Sequence, residues 1–145
     1  MANVYMLEIV TPNQLFYSGE VEMVIVETVT GQEGFMAGHS WATKLLKSGV
    51  CYIREKGEKE LRTIALSDGF IDVKKTVLIY ADAAEWAEEI DIHRAEAAYE
   101  RYSNWLESHD TSNATKAEEE ERRVLRAKAG LSRAMSRLKV AGKVK

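Results

Sequence analysis

The sequence predicts an α+β fold, an N-terminal antiparallel β-sandwich followed by a C-terminal two-helix antiparallel hairpin. Three observations predict it. Glycine punctuates the chain up to Gly69 and then almost disappears. Short β-branched runs fill the glycine-rich part, a pattern of many short strands and turns. Beyond Asp82 the composition shifts to Ala, Glu and Arg, with apolar residues at helical spacing. The expected units are residues 1–84 for the sandwich and 85–145 for the hairpin.

The first strand is expected over Val4 to Val10, which is apolar and ends at the turn signal Thr11-Pro12-Asn13. Val21 to Glu27 alternates in part and is β-branched, so it reads as a second strand. Gly31, Gly34, Gly38, Gly49, Gly57 and Gly69 then mark turns. Between and after them lie further short strands at Val50 to Arg54, Leu61 to Leu66, Phe70 to Val73 and Val77 to Ala81. Cys51 falls in one of these and reads as a small buried apolar residue.

Asp91 is expected to cap the first helix, its carboxylate accepting from a free N–H of the first turn. Ala95, Ala98, Tyr99, Tyr102, Trp105 and Leu106 form one helical stripe. Ser108 to Asn113 is a polar break. Thr115 and Glu118 then have the spacing of a capping box. Val124, Ala127, Leu131, Ala134 and Leu138 carry the apolar seam of a second helix about 36 Å long. Such a hairpin buries little by itself. Any apolar edge left over needs the sandwich or another protein, which makes the hairpin a candidate moving part.

Composition narrows the function classes. A chain of 145 residues with 46% hydrophobic residues supports a modest core. A net charge of −3 gives no general attraction to nucleic acid or anionic lipid. One cysteine leaves no internal disulfide and no thiolate metal site. The start, Met1-Ala2-Asn3-Val4-Tyr5, lacks the basic and apolar regions of a signal peptide, and no apolar run suffices for a membrane span. The expectation is a soluble cytoplasmic protein that inserts in no membrane. Catalysis is not expected, since the chain has neither a P-loop nor a Gly-x-Ser-x-Gly elbow. His39, His93 and His109 are scattered over strand loop, helix start and hairpin tip, so no metal site is expected.

The arginines carry the functional signal. Arg94 and Arg101 share one face of the first helix, and Arg133 and Arg137 one face of the second. An antiparallel hairpin brings the start of one helix beside the end of the other. All four guanidinium groups then gather at its base, near Glu85 and Asp91. Guanidinium forks suit phosphate oxygens, and a nearby carboxylate suits an exocyclic amine or a ribose hydroxyl. The alternative needs no ligand: Asp91 as a helix cap and the arginines in local ion pairs.

These residues resemble the epsilon subunit of bacterial F-type ATP synthases. The resemblance covers essentially the whole chain. It runs through Ile9-Val10-Thr11-Pro12, Tyr17 to Val24, Gly38-His39, Ser67 to Phe70, Ala81 to Glu85, Ile90 to Ala95, and Arg133 to Ala141. It implies a place in the central rotor stalk, on the cytoplasmic face of the bacterial membrane. The sandwich would bind the gamma subunit and the c-ring. The hairpin would lie folded on the sandwich or extend along gamma into the catalytic head, where it blocks ATP hydrolysis.

The resemblance further implies ATP as a regulatory ligand, with no covalent cofactor. Ile90 to Ala95 matches an Ile/Leu-Asp-x-x-Arg-Ala motif, with Asp91, Arg94 and Ala95 as its members. Glu85, Arg101, Arg133 and Arg137 align with further ligands. A purely structural rotor adaptor without nucleotide binding is the alternative. Rotor contacts are implied at Gly31, Gln32, Gly38, His39 and Trp41. The loops there depart from the family pattern. Ala37-Gly38-His39-Ser40-Trp41-Ala42 lacks both prolines of Pro-Gly-His-x-Pro-Leu, and Gly31-Gln32-Glu33-Gly34 displaces the usual acid. Ser67-Asp68-Gly69 stands in place of Ser-Gly-Gly. Trp41 reads equally as a buried anchor or an interface residue.

Overall fold

In the computed structural model, which describes residues 3–108 and 118–142, the first part of the chain forms nine strands, several of which alternate buried and exposed residues. β1 (Tyr5–Val10) turns Tyr5, Leu7 and Ile9 inward, and β8 (Val77–Ala81) does the same with Val77, Ile79 and Ala81. The others are β2 (Leu15–Thr28), β3 (Gly31–Met36), β4 (Ala42–Leu46), β5 (Gly49–Glu55), β6 (Arg62–Leu66), β7 (Gly69–Val73) and β9 (Ala84–Trp86). The pairing order is β1-β8-β7-β4-β2-β5-β6-β9, with β3 on β2 and β1 also on β2. The long β2 serves both layers of the sandwich. Its first half pairs with β1, and its second half pairs with β3 and β5. Phe35, Ile53, Ile64 and Ile71 fill the space between.

Several expectations need correction. The ladder is not wholly antiparallel, because β1 runs parallel to β8, with Leu7 opposite Val77. β3 and β4 were not expected. Their polar sequences, Gly31-Gln32-Glu33-Gly34 and Ala42-Thr43-Lys44, become strands because β2 and β7 supply their hydrogen bonds. The sheet also runs past residue 84, since β9 pairs with β6 as far as Trp86 opposite Ile64. The guanidinium of Arg62 lies 3.6 Å over the Trp86 ring and holds this edge.

Cys51 is fully buried in β5, and burial pushes its thiol up to about 12. Gly69 is required by close approach. A Cβ there would overlap the carbonyl oxygen of Tyr80 on β8. Gly69→Ala is therefore expected to destabilise the sandwich by about 1–3 kcal/mol, the usual cost of overpacking. Urea unfolding of the full chain measures it, and an unchanged midpoint would refute the close approach.

A 3₁₀ turn (Ala87–Glu89) leads into α1 (Ile92–Ser108), and α2 (Glu118–Gly142) packs against α1. Along α1, Ala95 is buried and Ala98, Tyr102, Trp105 and Leu106 are half-buried, while Tyr99 is exposed. Along α2, Val124, Ala127 and Ala134 are buried, and Leu131 and Leu138 half-buried. His93 is exposed. Ser108 ends α1. The rest of the expected polar break, His109 and the cap Thr115 lie outside the described residues.

Candidate functional site

The end of α2 is seated on the sandwich. Val140 and Ala141 are buried against Val50 of β5, Ala65 of β6, and Ala87 and Ile90 of the linking turn. β5 and β6 are thus covered on both faces, with Cys51, Ile53 and Ile64 inside and Val50 and Ala65 under the helix. This explains why Val50 to Ile53 and Ile64 to Leu66 read as unbroken apolar runs.

Beside this seat lies a cleft of about 460 Å³, within the size range of small-molecule sites. Ala65, Leu66, Ser67 and the segment Ala83 to Glu85 form its sandwich wall. Arg94, Arg101 and Tyr102 enter from α1, and Gly130, Arg133, Ser136 and Arg137 from α2. Four arginines and one glutamate are the charged groups that line it. Arg137 Nε donates to Glu85 Oε1 at 2.9 Å and its Nη2 to Oε2 at 3.3 Å. This forked pair ties α2 to the edge strand β9, and both side chains are half-buried. Among the described residues, Arg94, Arg101 and Arg133 have no carboxylate within ion-pair distance. The guanidinium of Arg101 lies 4.9 Å over the Tyr102 ring. The cleft therefore carries an excess of positive charge directed at one small volume, which suits a polyanion.

Five of the seven residues expected to hold a ligand line this cleft: Glu85, Arg94, Arg101, Arg133 and Arg137. Asp91 and Ala95 do not. Asp91 Oδ1 accepts from the backbone N–H of Arg94 at 3.0 Å, and its carbonyl accepts from that of Ala95 at 3.0 Å. Asp91 Oδ1 caps the helix, which fixes the turn that carries Arg94. Ala95 is fully buried. Asp91→Ala is expected to cost the hairpin about 1 kcal/mol, and Asp91→Ser, which keeps a capping oxygen, very little. Thermal melts by far-ultraviolet circular dichroism separate the two, and equal losses would refute the capping role.

The expected rotor contacts divide into two groups at opposite ends of β3. Gly31 (φ 127°) and the exposed Gln32 lie at the β2–β3 turn, where the Thr28 hydroxyl donates to the Gly31 carbonyl at 2.7 Å. Gly38 (φ 82°), His39 and Trp41 lie in the loop from β3 to β4. His39 stacks edge-on to Phe35 at 4.6 Å, and its Nδ1 donates to the Ser40 carbonyl at 2.7 Å. Trp41 is 72% exposed, so among the described residues it is not a buried anchor.

Sequence reading missed a third feature. Leu45, Phe70, Tyr80, Val10 and Leu15 are register partners in one row across β4, β7, β8, β1 and β2. Their side chains point outward, with Leu45 64% and Leu15 55% exposed and the rings of Phe70 and Tyr80 stacked at 5.6 Å. The available signal was that Leu45, Phe70 and Tyr80 fall at outward positions of alternating strands. An apolar row of this kind is a mark of a docking surface. No described helix is long and apolar enough to cross a membrane, and no described cluster of His, Cys, Asp and Glu could hold a metal ion.

Comparison with known proteins agrees with this architecture. Residues 4–87 match the family described as the ATP synthase delta/epsilon chain β-sandwich domain. The chain is 37% identical over 145 residues to the ATP synthase epsilon chain of Caldanaerobacter subterraneus subsp. tengcongensis, an alignment covering 99% of this chain and 97% of that one. It is 37% identical over 138 residues to that of Bacillus pumilus, covering 94% and 96% of the two chains. In fold it is similar to a chain in the Euglena gracilis mitochondrial ATP synthase structure of OSCP, F1 and c-ring. The TM-score there is 0.76 at 21% identity, over 94% of this chain and 79% of that one. With a sandwich that matches the family over its length, relatives that align from end to end, and a helical hairpin behind the sandwich, the protein belongs to the epsilon-chain family of the bacterial ATP synthase.

Proposed function

We propose that this chain is a non-catalytic regulatory subunit of the ATP synthase rotor, in which ATP holds the helical hairpin closed on the sandwich. The carrying observation is the convergence of Arg94, Arg101, Arg133 and Arg137 on one cleft that holds a single carboxylate. Bound ATP neutralises these charges and bridges both helices to the sandwich, contacts that exist only when the hairpin is closed. It therefore shifts population toward closure by its differential affinity. When ATP is scarce the hairpin opens and extends toward the catalytic head, where it brakes hydrolysis. The apolar row from Leu45 to Leu15 supports docking to gamma, and the loop carrying the exposed Trp41 supports contact with the c-ring. The subunit works on the cytoplasmic face of the membrane without entering it.

Isothermal titration of the full chain with ATP tests this reading. Saturable binding that inorganic triphosphate competes for is expected. No binding up to millimolar ATP would overturn it. One observation favours a purely structural adaptor instead: the forked pair of Arg137 with Glu85 already joins helix to sandwich without a ligand. That reading predicts ATPase activity in the assembled enzyme whose ATP dependence survives deletion of the hairpin.

A further inference from the structure

We infer that Gly130 is the positioning residue that lets the hairpin close. It is buried midway along α2, in a helix otherwise rich in Ala, Glu and Arg. Glycine is the poorest helix former after proline, so its place there needs a reason. The reason is Tyr102. A Cβ on Gly130 would overlap the phenol ring of this α1 residue, whose ring occupies the space that the missing side chain leaves. Both residues line the arginine cleft, and Arg101 stacks on the same ring. The contact therefore sets how closely the helices approach and where the Arg101 guanidinium stands.

The same contact distinguishes the two hairpin states. Where α2 stays helical in the open form, helix propensity cancels between the two states, and any fraying there is countered by the better helix propensity of alanine. The Tyr102 ring meets position 130 only in the closed form. An alanine at this position penalises closure alone. The helices must separate, or the ring must leave the cleft wall and release Arg101. This inference rests on the reading of the hairpin as a part that opens, but not on nucleotide binding.

Hydrogen exchange of the full chain without nucleotide tests it, following the amides of residues 131–142. Gly130→Ala is expected to speed their exchange about tenfold, the scale of an overpacked contact, without lowering the melting temperature of the sandwich. Adding Tyr102→Ala to Gly130→Ala is expected to return exchange to the rate of Tyr102→Ala alone. Exchange of Gly130→Ala at the wild-type rate would overturn the inference, and so would a double variant that exchanges faster than Tyr102→Ala alone. A separate arm tests the switch itself. If wild-type residues 131–142 exchange no faster than the sandwich strands, with or without ATP, the switch fails, whereas faster exchange in Gly130→Ala would still sustain the role of Gly130.

Discussion

Arg94→Ala is expected to weaken the proposed ATP binding by the full chain about ten- to a hundredfold, the size of a lost hydrogen bond to a charged group. Arg94 lines the cleft from the first turn of α1 and has no carboxylate partner among the described residues. Its side chain is therefore available to a phosphate. The fold should not change, because the bond from Asp91 goes to the backbone N–H of Arg94 and survives the substitution. Titration calorimetry gives the affinity, and circular dichroism checks that helix content is retained. An affinity equal to wild type would remove Arg94 from the site. Because Arg137 is held by Glu85, its substitution mixes two effects, loss of a ligand contact and loss of the tie to β9. Arg94 gives the cleaner result.

Val140→Asp is expected to release the end of α2 from the sandwich. Val140 is fully buried in a small apolar cluster with Val50, Ala65, Ala87, Ile90 and Ala141. An unpaired carboxylate in that apolar seat costs about 3 kcal/mol or more. The main core, built around Phe35, Ile53 and Ile71, is a separate cluster and should keep its melting temperature. Limited trypsin digestion reads the outcome, with cleavage after Arg133 and Arg137 rising while the sandwich stays intact. Protection of both bonds as in the wild type would show that the seat does not hold the hairpin.

The two halves were legible because each carries its own period. Strand alternation around Leu7, Ile9, Val77 and Ile79, and the helical stripe through Ala95 and Ala98, are local signals. Four of the cleft's charged residues were legible through helix geometry, since spacings of seven and four place arginines on common faces. Glu85 came from the family resemblance and its nearness to the hairpin base. What escaped was tertiary. β3 has a polar, glycine-broken sequence and β4 is a five-residue segment of mixed polarity, and both are strands only because β2 and β7 lie beside them. The forked bond between Glu85 and Arg137 joins residues 52 positions apart. Asp91 could serve as cap or ligand by sequence, and its bond to the Arg94 amide establishes the cap. The importance of Gly130 depends on a ring that arrives from the other helix.

The parallel pairing of β1 with β8 also orders events during synthesis. The first strand, around Leu7, waits for Val77 before its outer edge is covered. Closing so long a loop is slow relative to forming local turns and helices. The sandwich therefore cannot finish until β8 has left the ribosome, and the hairpin emerges after it. The seat for Val140 can thus be complete before Val140 arrives. The two helices then dock onto a finished surface, and a chain released before β8 leaves its first strand with an open edge liable to aggregate.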